Sequence, residues 1–231
     1  MVVKVNKKLL TTLVNTVTAF SNDVSLVVDG GRCGFSNFDT NLYSHLDISI
    51  ECDADEEYTV AFDPVPLMQF LKLADANDTI QILNQDKLIV SSPKQRVSIA
   101  KYLPRENKPG VDVPVSCDVS IPSKEFLDTI KVASDMGGQI TWNANAGQIV
   151  AKIGDDSQNT IEYDYTIDSY TTRPEGMTSA TYLCELIQDM KCIKEFDTVN
   201  LKYSTDSPII ISGSTENLSF KLLVANKIGA S

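Results

Sequence analysis

The sequence predicts an α+β fold of two similar domains, each containing a duplicated βαβββ unit. Three observations support this prediction: amphipathic helices separated by runs of short strands, one proline-rich segment near the middle of the chain, and the return of the same order of elements after that segment. A helix, a polar turn and two strands are predicted over residues 65–90, and again from Ala180 onward. Because a repeated pattern is typical of a duplicated building block, we expect four copies of one unit.

The first half is predicted to contain two helices. Over residues 7–20, Leu10, Leu13, Val14 and Val17 follow the spacing of one helical face. A second helix is expected to open at Pro64, since proline suits the first turn of a helix. The strands predicted around these helices are a hairpin over 24–37 and single strands over 42–50, 58–62, 78–83, 87–92 and 95–103.

Residues 104–114, PRENKPGVDVP, are the predicted interdomain connector, because they combine three prolines with mixed charge and no apolar period. They divide the chain into an N-terminal domain, 1–103, and a C-terminal domain, 115–231.

In the second domain a third helix is expected from Pro122, with Leu127, Ile130 and Ser134 on one side. A fourth helix is expected over 178–191, with its inward face formed by Leu183, Leu186, Ile187 and Met190. The predicted strands of this domain are 115–121, 139–144, 148–153, 159–167, 198–204, 207–212 and 218–225.

The composition excludes several classes of protein. No stretch of the chain reaches the roughly 18 apolar residues of a membrane span, and the N-terminus lacks the apolar core of a signal peptide. Five cysteines without a CxxC pair indicate no disulfide framework, and the single His45 leaves little for a histidine-rich metal site. Since neither a nucleophile motif nor a phosphate loop is present, we expect no enzyme, no cofactor and no metal in this intracellular chain.

The charge is distributed unevenly between the predicted helices and the rest of the chain. The formal net charge is −11, which by itself argues against a nucleic-acid partner. However, the four predicted helical stretches, 7–20, 64–75, 122–134 and 178–191, contain six basic and five acidic residues, whereas the remaining chain has a net charge of −12. Near-neutral helices of this kind permit sequence-independent contact with a phosphate backbone.

Several long stretches resemble one known family. They are FDTNLYSHLDISI (38–50), FDPVPLMQFLKLADANDTIQI (62–82), IPSKEFLDTIKVASDMGGQITW (121–142), DTVNLKYSTDSPIII (197–211) and LLVANKIG (222–229). In this order, over nearly the whole chain, they resemble the DNA sliding clamps of the proliferating cell nuclear antigen (PCNA) family, in the two-domain form that assembles as a trimer. The resemblance implies two processivity-clamp domains per subunit in a closed ring, with helices lining the hole and sheets outside.

The resemblance also implies a function. Such a ring encircles double-stranded DNA without sequence preference and tethers a replicative DNA polymerase as its processivity factor. A clamp loader and other replication and repair proteins, which bind through a short peptide, are the implied partners. The implied location is the site of DNA replication, in the cytoplasm of a prokaryotic cell, or in a host cell or nucleus if the source is viral or eukaryotic.

The family's site residues map onto this sequence in three groups. Positions that face DNA in the family correspond to Lys72, Lys131 and Lys191. The predicted DNA-facing set also includes Lys124, which lies near another such position, and Lys7 and Lys8, which lie a turn before the family's positions on the first helix. Positions that bind a partner peptide correspond to Phe38, Leu42, Tyr43, Val111, Val113, Pro208, Ala225 and Ile228. Subunits would join by edge-strand pairing of 95–103 with 159–167 of the next subunit, through Val97, Ile99, Ile161 and Tyr163.

This sequence departs from the family pattern on two helices. Lysines of the family fall on Thr11, Thr12 and Thr18 of the first helix, and Asp128 replaces a basic residue on the third. We therefore expect a central channel that is less positive than usual. Two alternatives remain open: a subunit of a heterotrimeric checkpoint or repair clamp, and an α+β protein-interaction module that forms no ring and binds no DNA.

Overall fold

The computed structural model describes residues 2–22, 24–39, 43–54, 57–104, 110–145, 147–154, 160–166 and 170–227. The chain forms two compact units. Unit 1 comprises Met1–Thr40, Leu46–Pro109 and Ser214–Phe220, and unit 2 comprises Asn41–His45, Gly110–Gly213 and Lys221–Ser231. The chain thus passes from unit 1 to unit 2 within the stretch predicted as the connector, of which 105–109 lie outside the described residues.

Unit 1 contains two helices and most of nine strands. The helices are α1 (Lys7–Phe20) and α2 (Pro64–Leu73). The strands are β1 (Val3–Asn6), β2 (Val24–Asp29), β3 (Arg32–Phe38), β4 (Ser44–Glu51), β5 (Tyr58–Phe62), β6 (Thr79–Asn84), β7 (Leu88–Ser91), β8 (Arg96–Ile99) and β9 (Lys101–Tyr102). The first two residues of β4 belong to unit 2.

The strands of unit 1 form two antiparallel sheets that exchange strands between two βαβββ repeats. One sheet has the order β1-β6-β7-β8, and the other runs β9-β5-β2-β3-β4. Val5 pairs with Ile80, and Leu26 of the other sheet pairs with Val60. The first strand of each repeat therefore joins the three later strands of the other repeat.

Both helices of unit 1 are capped at their N-termini and pack with their apolar sides inward. The Asn6 side chain accepts hydrogen bonds from the amides of Lys8 and Leu9, while Asp63 caps α2 with proline in its first turn. The buried residues are Leu10, Leu13, Val14, Thr16, Val17 and Phe20 on α1, and Leu67, Phe70 and Leu71 on α2. The helical period read from 7–20 is confirmed.

Unit 2 contains α3 (Ser123–Asp135), α4 (Glu185–Asp189) and a 3₁₀ helix, η1 (Lys191–Glu195). Its strands are β10 (Cys117–Pro122), β11 (Gln139–Asn145), β12 (Gln148–Ile153), β13 (Ile161–Thr166), β14 (Tyr170–Thr172), β15 (Thr178–Leu183), β16 (Thr198–Tyr203), β17 (Ile209–Ser214) and β18 (Leu218–Val224). The last residue of β17 and the first part of β18, up to Phe220, belong to unit 1.

Unit 2 repeats the strand exchange of unit 1. One sheet has the order β13-β12-β11-β15, and the other begins β14-β10-β16-β17. Trp142 pairs with Ala180, and Val119 pairs with Leu201, so the first strand of each repeat again joins the strands of the other. The predicted α+β class with duplicated βαβββ units is confirmed.

The fourth helix predicted over 178–191 is wrong. Residues 178–183 form β15, and only Glu185–Asp189 is α-helical. Thr178, Ala180 and Tyr182 are buried, while Leu183, expected inward, is 47% exposed. The error arose because a helical spacing of apolar residues overlaps a strand with a period of two. The residues that show the helical spacing are Leu183, Leu186, Ile187 and Met190.

Three smaller differences concern helix faces and strand ends. The buried face of α3 is formed by Phe126, Ile130 and Ala133, whereas Leu127 and Ser134 lie at its margins. The predicted strand 95–103 divides at Ala100 into β8 and β9, which belong to different sheets. The short strand β14 was not predicted, since three residues carry too little periodicity.

Candidate nucleic-acid interface

The solvent side of α1 begins with two lysines and continues with neutral residues. Lys8 is exposed and Lys7 half-buried. The hydroxyls of Thr11 and Thr18 donate to the carbonyls of Lys7 (2.7 Å) and Val14 (2.8 Å) within the helix. These hydroxyls are therefore engaged by their own helix, and positive charge is confined to the first turn.

Helices α2 and α3 present isolated lysines to solvent. Lys72 is exposed in the last turn of α2. On α3, Lys124 and Lys131 are exposed two turns apart, with the exposed Asp128 between them. A carboxylate four residues from a lysine lies on the same face of a helix. The exposed face of α3 therefore carries both positive and negative charge and is not strongly positive.

One exposed lysine that was not predicted lies beside Lys191. Lys194 lies three residues further along η1, and both side chains are exposed. A 3₁₀ helix has three residues per turn, so residues i and i+3 lie on the same side. The three-residue spacing of the two lysines could have predicted this pair, but the predicted helix ended at residue 191.

The balance of charge on the helices agrees with the sequence-based count. Together α1, α2, α3, α4 and η1 contain seven basic and six acidic residues, a net charge of +1, in a chain whose net charge is −11. Helices with this balance of charge repel a polyanion less than the acidic remainder of the chain does.

Unit 2 contains most of the positions predicted to bind a partner peptide. Tyr43 is 67% exposed, and its carbonyl accepts a hydrogen bond from the amide of Ala225 at 2.9 Å. Val111 is exposed, whereas Val113 and Pro208 are half-buried. Phe38 is half-buried in unit 1, and Leu42 and Ile228 lie outside the described residues.

Both described ends of the connector are held by unit 2. A side chain at Gly110 would meet the buried His45 ring 3.3 Å away, so glycine permits a close approach. At the other end, the Ser204 hydroxyl donates to the Pro114 carbonyl (3.0 Å) and accepts from the Ser116 amide (2.8 Å). These contacts attach the connector to unit 2, which also contains Tyr43 and the turn before Pro208.

The segments predicted to join subunits contain edge strands. β8 ends one four-stranded sheet and β13 ends the other. Ile161 and Tyr163 are each 38% exposed and Val97 is half-buried, but Ile99 is 2% exposed and packs in the core of unit 1. Ile99 therefore offers little side-chain surface to an interface at this edge.

A buried aromatic cluster anchors β13 to α3. The Tyr165 ring lies 5.7 Å from the ring of Trp142, which stacks on Phe126 at 6.0 Å. The Tyr165 hydroxyl hydrogen-bonds the Thr129 hydroxyl and donates to the Glu125 carbonyl. Burial raises the pKa of Tyr165 to about 12, with the Thr129 hydrogen bond opposing part of the rise.

Within the described residues, no group of three or more His, Cys, Asp and Glu side chains is arranged to hold a metal ion. Nor does any helix of that part of the chain have the length and apolarity to cross a bilayer.

The fold is that of the sliding clamps. Over 98% of this chain and 99% of the other, it superposes on PCNA from Thermococcus kodakaraensis with a TM-score of 0.83 and 14% identity. It superposes on A. fulgidus PCNA, in a complex with the C-terminal region of FEN-1, over 100% of both chains with a TM-score of 0.87 and 14% identity. The PCNA2–PCNA3 complex from Sulfolobus tokodaii is similar over 98% of this chain and 99% of that one, with a TM-score of 0.83 and 16% identity.

At this level of identity, the likeness establishes the fold. No protein-family profile and no curated protein sequence matches the chain. The chain has the two-domain sliding-clamp fold, as the resemblance implied.

Proposed function

We propose that this protein is a ring-shaped DNA sliding clamp, which encircles duplex DNA and tethers a replicative polymerase as its processivity factor. The observation that carries the proposal is a complete clamp fold whose helices have a net charge of +1 in a chain of net charge −11. Helices would line the central hole, with the sheets outside.

The mechanism is topological. A closed ring stays on its DNA without gripping it, so contacts with phosphates only need to centre the duplex. Scattered lysines such as Lys72, Lys131 and Lys191 suit this role, because each phosphate contact releases counterions and many contacts would hold the ring in place. The internally bonded Thr11 and Thr18 hydroxyls keep α1 from adding strong contacts.

The polymerase and other partners would bind a surface on unit 2 around Tyr43, Val111, Val113, Pro208 and Ala225. Exposed aromatic and aliphatic side chains beside a tethered connector suit a short peptide with apolar anchors. The similar A. fulgidus clamp was solved with a C-terminal region of FEN-1 bound. Phe38, the remaining described position of the predicted peptide-binding set, lies in unit 1. Lys7, Lys8 and Lys124 complete the proposed DNA-facing set.

Three copies would form a homotrimer through the edges of β8 and β13. The second candidate is a subunit of a mixed ring, favoured by one observation: the similar Sulfolobus tokodaii structure is a complex of two different clamp subunits. In either ring the protein would act where DNA is replicated or repaired, and a clamp loader would place it there.

The test combines mass in solution with polymerase processivity. Light scattering behind a sizing column, at several concentrations, should give a mass near three times the 25.4 kDa of one chain. A polymerase on primed linear DNA, onto whose ends a closed ring can thread without a loader, should then make longer products with the protein than without it.

The triple variant Lys72→Glu, Lys131→Glu and Lys191→Glu should lose most of this stimulation while it remains trimeric. The control reverses three exposed lysines outside the helices: Lys4, Lys87 and Lys221. A protein that is monomeric at all concentrations, or a trimer that leaves product length unchanged, would contradict the proposal.

A further inference from the structure

The connector contributes to the proposed peptide-binding surface between two ends that unit 2 holds in place. At the first described end, Gly110 lies against the buried ring of His45. The second end is Pro114, whose carbonyl accepts a hydrogen bond. Val111, which is 53% exposed, and the half-buried Val113 lie between these ends. The two valines can meet a peptide only in the positions that the two ends give them.

The second end is held by the hydroxyl of Ser204, in the turn that follows β16. This hydroxyl donates a hydrogen bond to the Pro114 carbonyl at 3.0 Å and accepts one from the Ser116 amide at 2.8 Å. The Ser116 amide also donates to the Tyr203 carbonyl at 3.1 Å, and the Ser116 and Thr178 hydroxyls are 3.3 Å apart. Because Ser116 is held by these further contacts, the specific contribution of Ser204 is its hydrogen bond to Pro114.

The turn that contains Ser204 is closed by a second serine. The Ser204 amide donates to the Ser207 hydroxyl at 2.7 Å, and that hydroxyl donates back to the Ser204 carbonyl at 2.8 Å. The Ser207 amide donates to the same carbonyl at 3.2 Å. Pro208, a position of the proposed peptide-binding surface, follows directly in the chain. The turn therefore fixes the position of Ser204 relative to Pro208.

Strand β15 holds this turn in place. The Ser179 carbonyl accepts a hydrogen bond from the Asp206 amide at 3.1 Å, and the hydroxyl of the buried Tyr182 donates to the Ser207 carbonyl at 2.8 Å. Asp206 has a φ of 51°, which residues other than glycine rarely adopt. Such a conformation persists only where the surrounding contacts impose it. The turn is therefore a fixed support to which the connector is bonded.

Strand β15 also holds the C-terminal side of the same surface. The Thr181 amide donates to the side-chain oxygen of Asn226 at 3.1 Å, and the Thr181 carbonyl accepts from the Lys227 amide at 2.8 Å. The Ala225 amide donates to the Tyr43 carbonyl at 2.9 Å. The turn and the C-terminal segment are thus both bonded to one strand, and the turn in turn holds the end of the connector.

We propose that Ser204 is a positioning residue for partner-peptide binding, because its hydroxyl holds the end of the connector beside Pro208 and so keeps Val111 and Val113 in their binding positions before a peptide binds. This inference rests on the proposed peptide-binding surface and adds to it a residue that acts through the connector. A loop that is ordered in advance loses little further conformational freedom on binding, which raises its affinity for the ligand.

Loss of the Ser204 hydroxyl lengthens the part of the connector that is not held. In Ser204→Ala the Pro114 carbonyl loses this donor, and the unheld span extends from Val111 to Val115, up to the remaining contacts of Ser116. Only a fraction of such connectors has the binding conformation at any moment, and the apparent affinity falls by that fraction. Because the contacts within the complex are unchanged, most of the loss should lie in the association rate.

The test measures the binding of one peptide to variants of the whole chain. The probe is a peptide selected on the native protein from a phage-displayed library, and it is kept only if Val111→Asp abolishes its binding. Surface plasmon resonance should show that Ser204→Ala binds this peptide about tenfold more weakly, chiefly through slower association. Ser204→Thr, which keeps the hydroxyl, should bind the peptide as the native protein does.

The matched control is Ser120→Ala, which removes a hydroxyl that donates to the Asn200 side chain between β10 and β16 of the same unit. This variant should bind the peptide as the native protein does. Ser204→Cys keeps the side-chain volume but weakens both hydrogen bonds, so its affinity should be intermediate, and it replaces Ser204→Ala if the alanine variant does not fold. Backbone amides within 111–115 should exchange hydrogen faster in Ser204→Ala, whereas those of β16 should not. The thermal unfolding midpoint verifies the folding of each variant.

The outcomes separate this inference from the proposed function. A library that yields no peptide sensitive to Val111→Asp contradicts the proposed peptide-binding surface, and this inference with it. Where such a peptide is found, the surface stands, and three results overturn the role of Ser204 alone. They are native affinity in Ser204→Ala, equal losses in Ser204→Ala and Ser120→Ala, and a loss that Ser204→Thr does not restore.

Discussion

The guanidinium of Arg32 donates a hydrogen bond to the hydroxyl of Ser219, 3.2 Å away and 187 residues later in the sequence. The same guanidinium donates to the carbonyls of Ser49 (3.1 Å) and Glu216 (3.2 Å), and Ser49 and Ser219 hydroxyls are 2.8 Å apart. One side chain thus fastens the segment Ser214–Phe220 to the N-terminal strands of unit 1.

Replacement of this arginine should destabilise the protein. Arg32→Ala removes several half-buried hydrogen bonds to a charged donor, so we expect a loss of about 1–3 kcal/mol in the free energy of unfolding. Urea unfolding followed by circular dichroism measures it. The control is Lys4→Ala, which breaks an exposed ion pair with Asp53 (3.2 Å) and should cost about 1 kcal/mol or less. Equal losses in the two variants would contradict the prediction.

Alkaline pH should destabilise the fold in part through Tyr165. Burial raises its pKa to about 12, whereas a tyrosine in an unfolded chain titrates near 10. Between these values the folded state retains a proton that the unfolded state loses, so stability falls as the pH rises through this window.

The variant Tyr165→Phe should therefore show a shallower decline, by roughly one proton, and a loss of about 1 kcal/mol at neutral pH. The fluorescence of Trp142, the only tryptophan, reports urea unfolding at each pH. Tyr102→Phe, at an exposed position in unit 1, is the control. A native slope in Tyr165→Phe would refute this assignment.

The pair Lys191 and Lys194 should contribute to retention on DNA. Charge reversal of both residues should lower the slope of binding against salt concentration by about one unit for each lysine. The assay measures equilibrium binding to a short, open-ended duplex over a range of salt, because a ring linked to closed circular DNA would be retained whatever its phosphate contacts. Reversal of Lys87 and Lys221, which are exposed on strand or turn segments, should have little effect. Equal losses from both pairs would show a diffuse charge effect instead of a contact by η1.

Gly34 is required by the close approach of two strands. A Cβ at this position would lie 2.5 Å from the Ile48 carbonyl oxygen and 2.9 Å from the Ser49 Cβ. Gly34→Ala must displace backbone in the interior of a sheet, so we expect a loss of about 1–3 kcal/mol or more. Thermal unfolding compares it with Gly176→Ala, where no atom lies within 4 Å. An unchanged midpoint for Gly34→Ala would contradict the packing described for β3 and β4.

The buried cysteines should be unreactive in the folded protein. All five are free and buried, and burial raises the pKa of the Cys33 and Cys184 thiols to about 12 each. Because the thiolate is the reactive form, a thiol reagent at pH 8 should label the native chain far more slowly than the chain in urea. Rapid labelling of any one cysteine without denaturant would contradict this prediction and would show local opening around that residue.

Local patterns in the sequence were sufficient for most elements. The apolar period of α1, the prolines of α2 and the alternation in strands such as β11 each depend on neighbours within a few residues. The same patterns failed at two places. At Thr178–Leu183 a helical period overlaps a strand period, and at Ala100 the chain passes from one sheet to the other. The lysines of the candidate site could be named from sequence, except Lys194, whose position depends on a 3₁₀ turn.

The sequence by itself determined the α+β class, the repeated βαβββ order and the contrast in charge between the helices and the rest of the chain, because each follows from residue type and local spacing. Only the tertiary structure decided that β1 joins β6 and β5 joins β2, and likewise β15 with β11 and β10 with β16. It also decided which strands remain at sheet edges. The physical reason is that strand partners are selected by side chains far apart in the sequence, which bury a common core only when both repeats of a unit come together.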